Sequence, residues 1–332
     1  MNSRRRSHIV VTGASSGIGR ATALHLAAAG HHVFAGVRQL ADAPVPPAAC
    51  PGEITPLLLD VTDPAQIGAA AGAVADHIGG TGLTGLVNNA GIGVFGPLEI
   101  IPIEQFRRQL EVNVTGQLAV TQALLPLLRE ARGRIVMIGS IGTRFTPPFT
   151  GPVSASKSAI ATMAEALRQE LAPWDIRVVL IEPASIHTEA VDKLALDAER
   201  LLHESDTCAR ALYEDAFRSF VRVGLARERN GSPPQVVAQL VARALTTPRP
   251  RSRYLVGKDS RRMALVAGLP TPLLDALRRK IGHQPAPGSR AMSPGSSQGD
   301  GPRAAGGHVF ALNGGAAGTG SAATTPESGL RT

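Results

Sequence analysis

Short apolar runs alternate with longer segments in which apolar residues recur at helical spacing along most of the chain. The short runs predict β-strands at residues 8–11, 32–37, 53–59, 83–87, 134–138, 176–181 and 254–256. The longer segments predict helices at residues 20–30, 67–78, 103–131, 154–171 and 234–246. Strands that alternate with helices of this length are typical of a parallel sheet that is covered on both faces. The sequence therefore predicts an α/β fold, a doubly wound parallel sheet.

The regular pattern ends after residue 183. Residues 189–223 are helical but irregular, which is typical of an insertion that shapes a substrate pocket. Residues from 284 onward are mainly Gly, Ser, Ala and Pro, and they cannot bury enough surface to offset the entropy of ordering. The predicted organisation is one domain at residues 1–260, which includes a pocket-forming insertion at 189–232, an amphipathic C-terminal helix at 261–283 and a disordered tail at 284–332.

The composition is that of a globular chain without a disulfide or metal framework. The chain has 332 residues, of which 43% are hydrophobic, and this is enough for one large domain with a buried core. Its two cysteines, Cys50 and Cys208, match no disulfide or metal-binding spacing, which predicts no metal and favours a reducing, cytoplasmic environment. We find no apolar run long enough to cross a membrane.

The net charge of +8 raises the question of a polyanionic partner. The basic residues lie in separate short groups without a nucleic-acid-binding motif beside them, so the sequence predicts no nucleic acid as partner. The helix predicted at 261–283 ends in Arg278, Arg279 and Lys280. It can pack on the domain, pack on a second subunit, or rest on a membrane surface as a basic amphipathic helix, and packing is the favoured interpretation.

The first predicted strand runs directly into a glycine-rich turn and then into a helix. Backbone N–H groups of such a turn and of the helix N-terminus converge on phosphate, and the helix dipole favours negative charge there. Glycine is needed where a Cβ would block the pyrophosphate or force a strained φ. The spacing G-x-x-x-G-x-G differs from the commoner G-x-G-x-x-G pattern, but its place between strand and helix predicts a Rossmann-type dinucleotide site. The residues predicted to form this site are Thr12, Gly13, Ser15, Ser16, Gly17, Ile18 and Gly19.

Arg38 follows the second predicted strand, at the position that meets the adenosine ribose in dinucleotide-binding folds. An acidic residue there accepts the 2′-hydroxyl of NAD, whereas an arginine is favourable for the 2′-phosphate of NADP. Val37 occupies the place where the acid is expected. The sequence therefore favours NADP(H) over NAD(H), and a solvated surface charge is the alternative interpretation of Arg38.

Further motifs follow in a fixed order along the chain. They are Asp60-Val61-Thr62, Asn88-Asn89-Ala90-Gly91, Asn113, Ser140, Lys157 and Pro183-Ala184-Ser185-Ile186-His187-Thr188. Together with the glycine-rich turn they resemble the short-chain dehydrogenase/reductase family over residues 7–188, with Ala184 where the family has glycine. The resemblance implies hydride transfer between a nicotinamide cofactor and a small apolar alcohol or carbonyl compound.

The resemblance also implies which residues bind the cofactor and how the chain assembles. The remaining cofactor residues are Asp60 and Val61 at the adenine, Asn88, Ala90 and Gly91 near the adenosine-side ribose, Lys157 at the ribose hydroxyls, and Pro183, Ile186 and Thr188 at the nicotinamide carboxamide. The long helices around Asn113 and Lys157 resemble those that pair across subunits in the family, which implies a homodimer or homotetramer.

The family's catalytic tetrad is Asn, Ser, Tyr and Lys, and the resemblance places Asn113, Ser140 and Lys157 in three of these roles. In the family the serine holds the substrate oxygen, the tyrosine transfers the proton, the lysine lowers the pKa of the tyrosine, and the asparagine organises a water relay. Tyrosine and lysine stand four residues apart, one turn apart on a single helix face. The residue four before Lys157 is Val153, which has no proton to give.

Other side chains could take over the proton transfer. His187, beside the expected nicotinamide site, is the best substitute, and Tyr213 in the insertion is a second candidate. Loss of a general acid costs roughly 10²–10⁴-fold in rate, so residual turnover is compatible with Val153. The first hypothesis is an NADP(H)-dependent oxidoreductase with an altered proton donor. The second is a nucleotide-binding protein without dehydrogenase chemistry, which acts as a sensor or partner subunit.

Overall fold

A computed structural model describes residues 7–282, 284 and 286–289, except for the side chains of residues 190–192. Its strands are β1 (His8–Thr12), β2 (His32–Val37), β3 (Glu53–Leu58), β4 (Gly85–Asn88), β5 (Arg134–Ile138), β6 (Arg177–Pro183) and β7 (Arg253–Val256). Within the described residues these strands form one parallel sheet in the order β3-β2-β1-β4-β5-β6-β7. The prediction of a doubly wound parallel sheet is confirmed.

Helices cover both faces of this sheet. They are α1 (Gly17–Ala28), α2 (Pro64–Ile78), α3 (Ile103–Leu110), α4 (Gly116–Ala131), α5 (Gly151–Glu170), α6 (Ala190–Glu204), α7 (Thr207–Arg229), α8 (Gln235–Thr246), α9 (Ser260–Val266) and α10 (Thr271–Ile281). Successive side chains of a strand point to opposite faces. In β1, Ile9 and Val11 therefore pack with α1 and α8, whereas Val10 packs with α2, α4 and α5.

The chain order reverses at β1. This strand pairs with β2 on one side and with β4 on the other, so the chain leaves the sheet centre in both directions. Thr12 at the end of β1 and Asn88 at the end of β4 lie at the same edge. A crevice opens outside the carboxyl ends of strands at such a point. The fold therefore puts the glycine-rich turn at the edge where ligands bind in this class of sheet.

The helix predicted at 103–131 is interrupted in the structure. One wider turn of π-helix, Glu111–Thr115, separates α3 from α4. The interruption contains Asn113, whose buried side chain is bonded to the backbone of Ile92. At Gly116, where α4 begins, a Cβ would lie 2.6 Å from the carbonyl oxygen of Val61. Contacts that are distant in sequence therefore accompany the interruption, and such π-turns occur often at functional sites.

Two predicted helical segments are pairs of helices. The irregular region at 189–223 contains α6 and α7, and Asp206 caps α7 by accepting a hydrogen bond from the Cys208 amide at 2.9 Å. The prediction of a single helix at 261–283 is wrong, because α9 and α10 are separate and Pro270 lies between them. Proline disfavours helical backbone in the residue before it, which explains the break. Of the tail predicted at 284–332, residues 290–332 lie outside the described residues.

Within the part of the chain that the structure describes, none of the helices combines the length and the apolar character that a membrane crossing requires.

Candidate functional site

A cleft of about 1180 Å³ opens at the carboxyl ends of the central strands. Its walls come from the glycine-rich turn, from the segments after β2, β3 and β4, from the end of α3 with the π-turn, and from the segment between β6 and α6. This is the edge at which the chain order reverses. A cleft at this place in an open α/β sheet is the expected ligand site.

Three glycines shape the turn at the floor of the cleft. Gly13 and Gly17 have φ values of 63° and 51°, a region that other L-residues seldom adopt. A Cβ at Gly13 would lie 2.8 Å from the Ala90 Cα, and a Cβ at Gly19 would collide with the carbonyl oxygen of Gly13. Ser16, the N-cap of α1, makes no capping hydrogen bond with its side chain, so this side chain does not occupy the first helix amides. The turn therefore fits a pyrophosphate, which needs this close approach and these amides.

Two side chains behind the turn tie β1 to the loop after β4. Thr12 Oγ1 accepts hydrogen bonds from the amides of Asn89 and Ala90, each at 3.0 Å. Asn89 Nδ2 donates to the carbonyl oxygens of Thr12 and Gly13, at 3.0 and 3.1 Å. These four hydrogen bonds fix the position of the turn relative to the opposite wall of the cleft. Asn89 was not predicted to have a role, and its place in the Asn-Asn-Ala-Gly motif was the signal available.

Arg38, Arg108 and Asp60 lie at the end of the cleft that the segments after β2 and β3 form. Thr62 donates hydrogen bonds from its amide and its hydroxyl to Asp60 Oδ1, at 2.9 and 2.7 Å. Burial opposes ionisation, but these hydrogen bonds and the charges of Arg38 and Arg108 hold the pKa of Asp60 below its ordinary value. Both arginines are exposed, and neither has a salt-bridge partner among the described residues. This end therefore offers two guanidinium groups that no carboxylate of the described chain binds directly.

Most of the predicted cofactor residues line the cleft. They are Gly13, Ser15, Ser16, Gly17, Ile18, Arg38, Asp60, Val61, Ala90, Gly91, Ile186 and Thr188. The predicted residues that do not line it are Thr12, Gly19, Asn88, Lys157 and Pro183. Asn88 is fully buried, and its Nδ2 donates to Thr121 Oγ1 of α4 at 2.8 Å. It therefore ties β4 to α4 and does not line the cleft, whereas the neighbouring Asn89 does.

The segment 185–188, which follows β6, closes the cleft opposite the glycine-rich turn. Thr188 lies so close to Gly17 that a Cβ on the glycine would be 3.3 Å from the threonine Cβ. Ile186 is buried and lines the cleft, whereas His187 is exposed and does not line it. The structure thus brings Ile186 and Thr188 to the cleft and leaves His187 outside it.

Glu228, near the end of α7, also reaches the cleft. Its Oε2 accepts a hydrogen bond from the amide of Ile186 at 3.1 Å, and the hydroxyl of Ser185 lies beside the same carboxyl group. Burial raises the pKa of Glu228, although the Ile186 amide, the Ser185 hydroxyl and the charge of Arg227 oppose the rise. No motif marks Glu228 in the sequence, because it lies in the irregular insertion.

Asn113 and Gln109 lie one helical turn apart and hold the loop after β4. Asn113 Oδ1 accepts from the Ile92 amide at 2.8 Å, and its Nδ2 donates to the Ile92 carbonyl oxygen at 3.0 Å. Gln109 Oε1 accepts from the Val94 amide at 2.6 Å, and its Nε2 donates to the Ile92 carbonyl oxygen at 2.8 Å. Both side chains also donate to Ser156 Oγ of α5, at 3.1 and 3.3 Å. Gln109 and Ser156 were not predicted, and the four-residue spacing from Gln109 to Asn113 was the only signal for the pair.

Ser140 begins the loop after β5 and is half-buried. Its Oγ accepts a hydrogen bond from the Gly142 amide at 3.0 Å. Thr143 Oγ1 has two acceptors within reach of its single hydrogen, the Ser140 carbonyl oxygen at 3.1 Å and Glu182 Oε1 at 3.0 Å. The fully buried carboxylate of Glu182 is also bound by the Arg144 guanidinium, with a shortest distance of 3.0 Å. The loop that carries Ser140 is therefore anchored to β6 through a buried ion pair.

Lys157 lies one turn after Val153 on α5. Its Nζ donates a hydrogen bond to the carbonyl oxygen of Ile138, at the end of β5, at 2.7 Å. Burial lowers the pKa of this ammonium group to about 8. In the described chain no carboxylate pairs with it. Asn113, Ser140 and Lys157 are thus all bonded within the protein, and none of them lines the cleft.

The sequence model of the family described as short chain dehydrogenase matches residues 7–199, which is more than half of the chain. The chain belongs to this family. The NADPH-dependent 3-dehydrocapnine reductase of Ornithobacterium rhinotracheale is 36% identical over 254 residues, which cover 75% of this chain and 87% of the relative. Retinol dehydrogenase 5 of Mus musculus is 34% identical over 285 residues, which cover 84% and 89%. The crystal structure of a short chain dehydrogenase from Burkholderia cenocepacia J2315 in complex with NADP is 26% identical, with a TM-score of 0.63 over 82% of this chain and 97% of that one.

As a short-chain dehydrogenase, the protein is of the oxidoreductase type that binds NAD(P)(H) and acts on alcohols and carbonyl compounds. The structure places both candidate substitutes for the family's tyrosine outside the cleft. His187 is exposed, and the Tyr213 hydroxyl donates to Glu99 Oε2 while its ring packs on an apolar cluster between α6 and α7. Their positions give no support to a role for either in proton transfer.

Proposed function

We propose that this short-chain dehydrogenase uses NADP(H) in preference to NAD(H) and interconverts an apolar alcohol and its carbonyl compound. The observation that carries the proposal is the cleft at the reversal point of the sheet, with a glycine-rich turn that has no room for a Cβ and two arginines without a salt-bridge partner among the described residues.

The residues present fit the cofactor from one end of the cleft to the other. The turn at Gly13, Gly17 and Gly19 has the space and the amides for the pyrophosphate. The Arg38 guanidinium is favourable for the 2′-phosphate, because its planar donor group can bind phosphate through two hydrogen bonds. Ile186 lines the same cleft, which supports its proposed contact with the nicotinamide carboxamide. The name of one relative, an NADPH-dependent reductase, and the NADP complex of another family member support the preference for NADP(H).

The apolar side chains near the insertion favour an apolar substrate. Phe95 and Leu194 line the cleft and also pack on a buried apolar cluster. In that cluster the rings of Phe149 and Phe217 lie 5.2 Å apart. Apolar surface of this kind binds ligands by removing their own apolar surface from water. A relative is named for its action on retinol, a largely apolar alcohol, which supports this substrate class.

The reaction needs a proton as well as a hydride, and the bound cofactor supplies or accepts only the hydride. Ser140 Oγ accepts from the Gly142 amide, which leaves its own O–H free to donate to the oxygen of a carbonyl substrate. Lys157 Nζ carries a proton that burial makes easier to release. Val153 carries none. We infer that Ser140 orients the oxygen and that Lys157 holds the proton that a phenol holds elsewhere in the family.

A second function, NADP(H) binding without turnover, is favoured by one specific observation. Asn113, Ser140 and Lys157 are bonded to protein atoms and do not line the cleft, and Val153 offers no acid. A sensor or partner subunit would need only the cofactor part of the cleft.

We also propose a homodimer or homotetramer, as the family resemblance implies, and light scattering on the full chain measures this directly.

Cofactor titration followed by turnover separates these functions. NADPH and NADH are titrated against the full chain by fluorescence, and NADPH oxidation is then followed with retinaldehyde and a panel of apolar ketones. Tighter binding of NADPH than of NADH, together with NADPH oxidation, supports the oxidoreductase. Binding without oxidation supports the second function. A chain that binds neither nucleotide at saturating concentration refutes both.

A further inference from the structure

The carboxyl group of Glu228 enters the cleft at the segment that is predicted to hold the nicotinamide. Its Oε2 accepts the amide hydrogen of Ile186 at 3.1 Å, and the hydroxyl of Ser185 lies beside the same carboxyl group. Arg227 Nε fixes that hydroxyl by donating to its oxygen at 2.9 Å. A carboxylate has about four acceptor positions. Glu228 is therefore held in one orientation and still has acceptor positions for a ligand.

The hydrogen bond to Ile186 reverses the polarity of this wall of the cleft. The amide of Ile186 is a donor, but in the structure the carboxylate has taken that donor and offers acceptor oxygens in its place. A nicotinamide carboxamide has an NH₂ group, which needs an acceptor. The nicotinamide ring is cationic in the oxidised cofactor and neutral in the reduced cofactor, so a nearby carboxylate attracts the oxidised form more strongly.

We propose that Glu228 binds the nicotinamide end of the cofactor, accepts a hydrogen bond from the carboxamide NH₂, and favours the oxidised over the reduced form. The inference rests on the proposed function, because it requires the nicotinamide to lie at Ile186. Glu228 is outside residues 7–199, which the family model matches, so no family motif assigns it this role.

Other charged groups line the same cleft as Glu228 or lie beside it in the chain or at Ser185, and one of them provides a control for a test. They are Glu189, Lys193 and Asp197 on the α6 side of the cleft, Arg227 beside it on α7, and Lys258 after β7, next to Ser185. Asp197 is a carboxylate that lines the same cleft, but it is exposed, and its nearest cation is Arg200 at 3.9 Å. Asp197→Asn is therefore a matched control for Glu228→Gln, since each removes one negative charge from the cleft.

The experiment measures dissociation constants of the full chain for NADP⁺, NADPH and 2′,5′-ADP by calorimetry. The last ligand has the 2′-phosphate but no nicotinamide. We expect Glu228→Gln to raise the dissociation constant for NADP⁺ roughly tenfold and that for NADPH about threefold, because a charge-assisted hydrogen bond becomes a neutral one. The dissociation constant for 2′,5′-ADP should stay unchanged. Asp197→Asn should change each constant by less than about twofold.

The same constants, measured as a function of pH, give a second test. Burial raises the pKa of Glu228, so the carboxylate loses its charge at a higher pH than an exposed glutamate does. The ratio of the NADP⁺ affinity of the parent chain to that of Glu228→Gln should therefore fall as the pH is lowered from 8 towards 5. The phosphate groups of the ligand titrate equally in both measurements and cancel in this ratio. The same ratio for 2′,5′-ADP should not change with pH.

The outcomes separate this inference from the proposed function. If Glu228→Gln weakens the binding of all three ligands equally, or leaves the ratio of the dissociation constants for NADP⁺ and 2′,5′-ADP unchanged, the inference is wrong while the proposed cofactor stands. If the unmodified chain binds none of the three ligands, the proposed function fails and the inference fails with it. Near-equal melting temperatures of the variants and the parent chain show that altered binding does not come from unfolding.

Discussion

The two ends of the cleft differ in how their polar groups are satisfied. At the end with the glycine-rich turn, backbone amides and the guanidinium groups of Arg38 and Arg108 lie at the cleft, and no carboxylate of the described residues pairs with either arginine. At the other end, Asn113, Ser140 and Lys157 are bonded to protein atoms and lie behind the lining. Nucleotide binding depends on exposed backbone and charge, whereas proton transfer depends on a few inward-facing side chains. Nucleotide binding can therefore persist in a chain where one substitution has weakened proton transfer.

The largest effect is expected from Val153→Tyr, which restores a phenol one turn before Lys157. A positioned general acid contributes roughly 10²–10⁴-fold to the rate, which corresponds to about 3–5 kcal/mol of barrier. We therefore expect kcat with retinaldehyde to rise by that factor while the dissociation constant for NADPH stays within about twofold. Stopped-flow oxidation of NADPH and a fluorescence titration measure the two quantities.

Val153→Phe is the matched control for this variant, because it adds the ring without the hydroxyl. A similar rate gain with phenylalanine would show that packing rather than proton donation limits the reaction. No gain with tyrosine would show that the inward-facing groups cannot support the chemistry, and the second proposed function would then be favoured.

The next largest effect is expected at the ion pair that anchors the loop of Ser140, at the end of the cleft where the reaction is proposed to take place. Glu182 is fully buried and pairs with Arg144 at 3.0 Å and Arg253 at 3.4 Å, so Glu182→Ala removes a counter-charge from two partly buried guanidinium groups. Breaking one side of a buried pair costs about 3–5 kcal/mol, and the partial exposure of Arg144 places the expected loss of unfolding free energy near the lower bound. Urea denaturation measures this loss.

Glu104→Ala is the control for the buried carboxylate, because Glu104 forms an exposed ion pair with Arg107 at 3.3 Å and shares no partner with Glu182. An exposed pair contributes about 0–1 kcal/mol. Equal losses for Glu182→Ala and Glu104→Ala would contradict the role of a buried carboxylate in anchoring the loop of Ser140.

Lys157→Met is expected to stabilise the protein at neutral pH. Burial lowers the pKa of Lys157 from 10.5 to about 8, so the folded state binds this proton less tightly than the unfolded state does. The penalty is fully present below pH 8 and fades as the pH rises towards 10.5. It amounts to about 3 kcal/mol, and loss of the hydrogen bond to Ile138 offsets about 1 kcal/mol of it. We expect a gain of about 2 kcal/mol at pH 7 that is much smaller at pH 10.

Lys258→Met tests whether this gain comes from the buried ammonium. Lys258 is exposed and donates to the Asn230 carbonyl oxygen at 3.3 Å, so its removal should change the unfolding free energy by less than about 0.5 kcal/mol at either pH. A gain for Lys157→Met that is the same at pH 7 and pH 10 would show that the buried charge is not its cause. If the gain does depend on pH, Lys157 is an example of a group kept for function at a cost in stability.

The parts of the structure that local pattern determines could be predicted from the sequence. The strand at 32–37 and the strand at 134–138 have the predicted bounds, because a run of apolar residues that is buried on both faces has few alternative positions. The turn at Gly13 could be placed because its glycines are needed for both φ and close approach. The break between α9 and α10 was missed although Pro270 marks it.

The contacts that position Asn113, Lys157 and Glu228 could not be predicted from the sequence, because they join residues that are far apart in the chain. The π-turn at Asn113 accompanies hydrogen bonds to Ile92, and the place of Glu228 in the cleft depends on Ile186, 42 residues earlier. No spacing or periodicity links such residues. The sequence also carries no sign that Lys157 is held against the Ile138 carbonyl oxygen, since a lysine side chain is long enough to take many orientations.

The smallest effect is expected at the arginines of the opposite end of the cleft. Arg38→Ala should weaken NADPH roughly tenfold and leave NADH unchanged, because exposed charge-assisted hydrogen bonds contribute about 1–2 kcal/mol. Arg108→Ala should weaken NADPH binding by about threefold. The charge of Arg108 acts on Asp60 together with that of Arg38, but Arg108 comes from α3 and not from the segment after β2. Arg107 lines the same cleft but pairs with Glu104 at 3.3 Å in an exposed position, so Arg107→Ala is the control and should change neither constant. Equal weakening of NADPH and NADH by Arg38→Ala would remove the basis for a preference for NADP(H) and leave the glycine-rich turn as the main determinant of binding at this end.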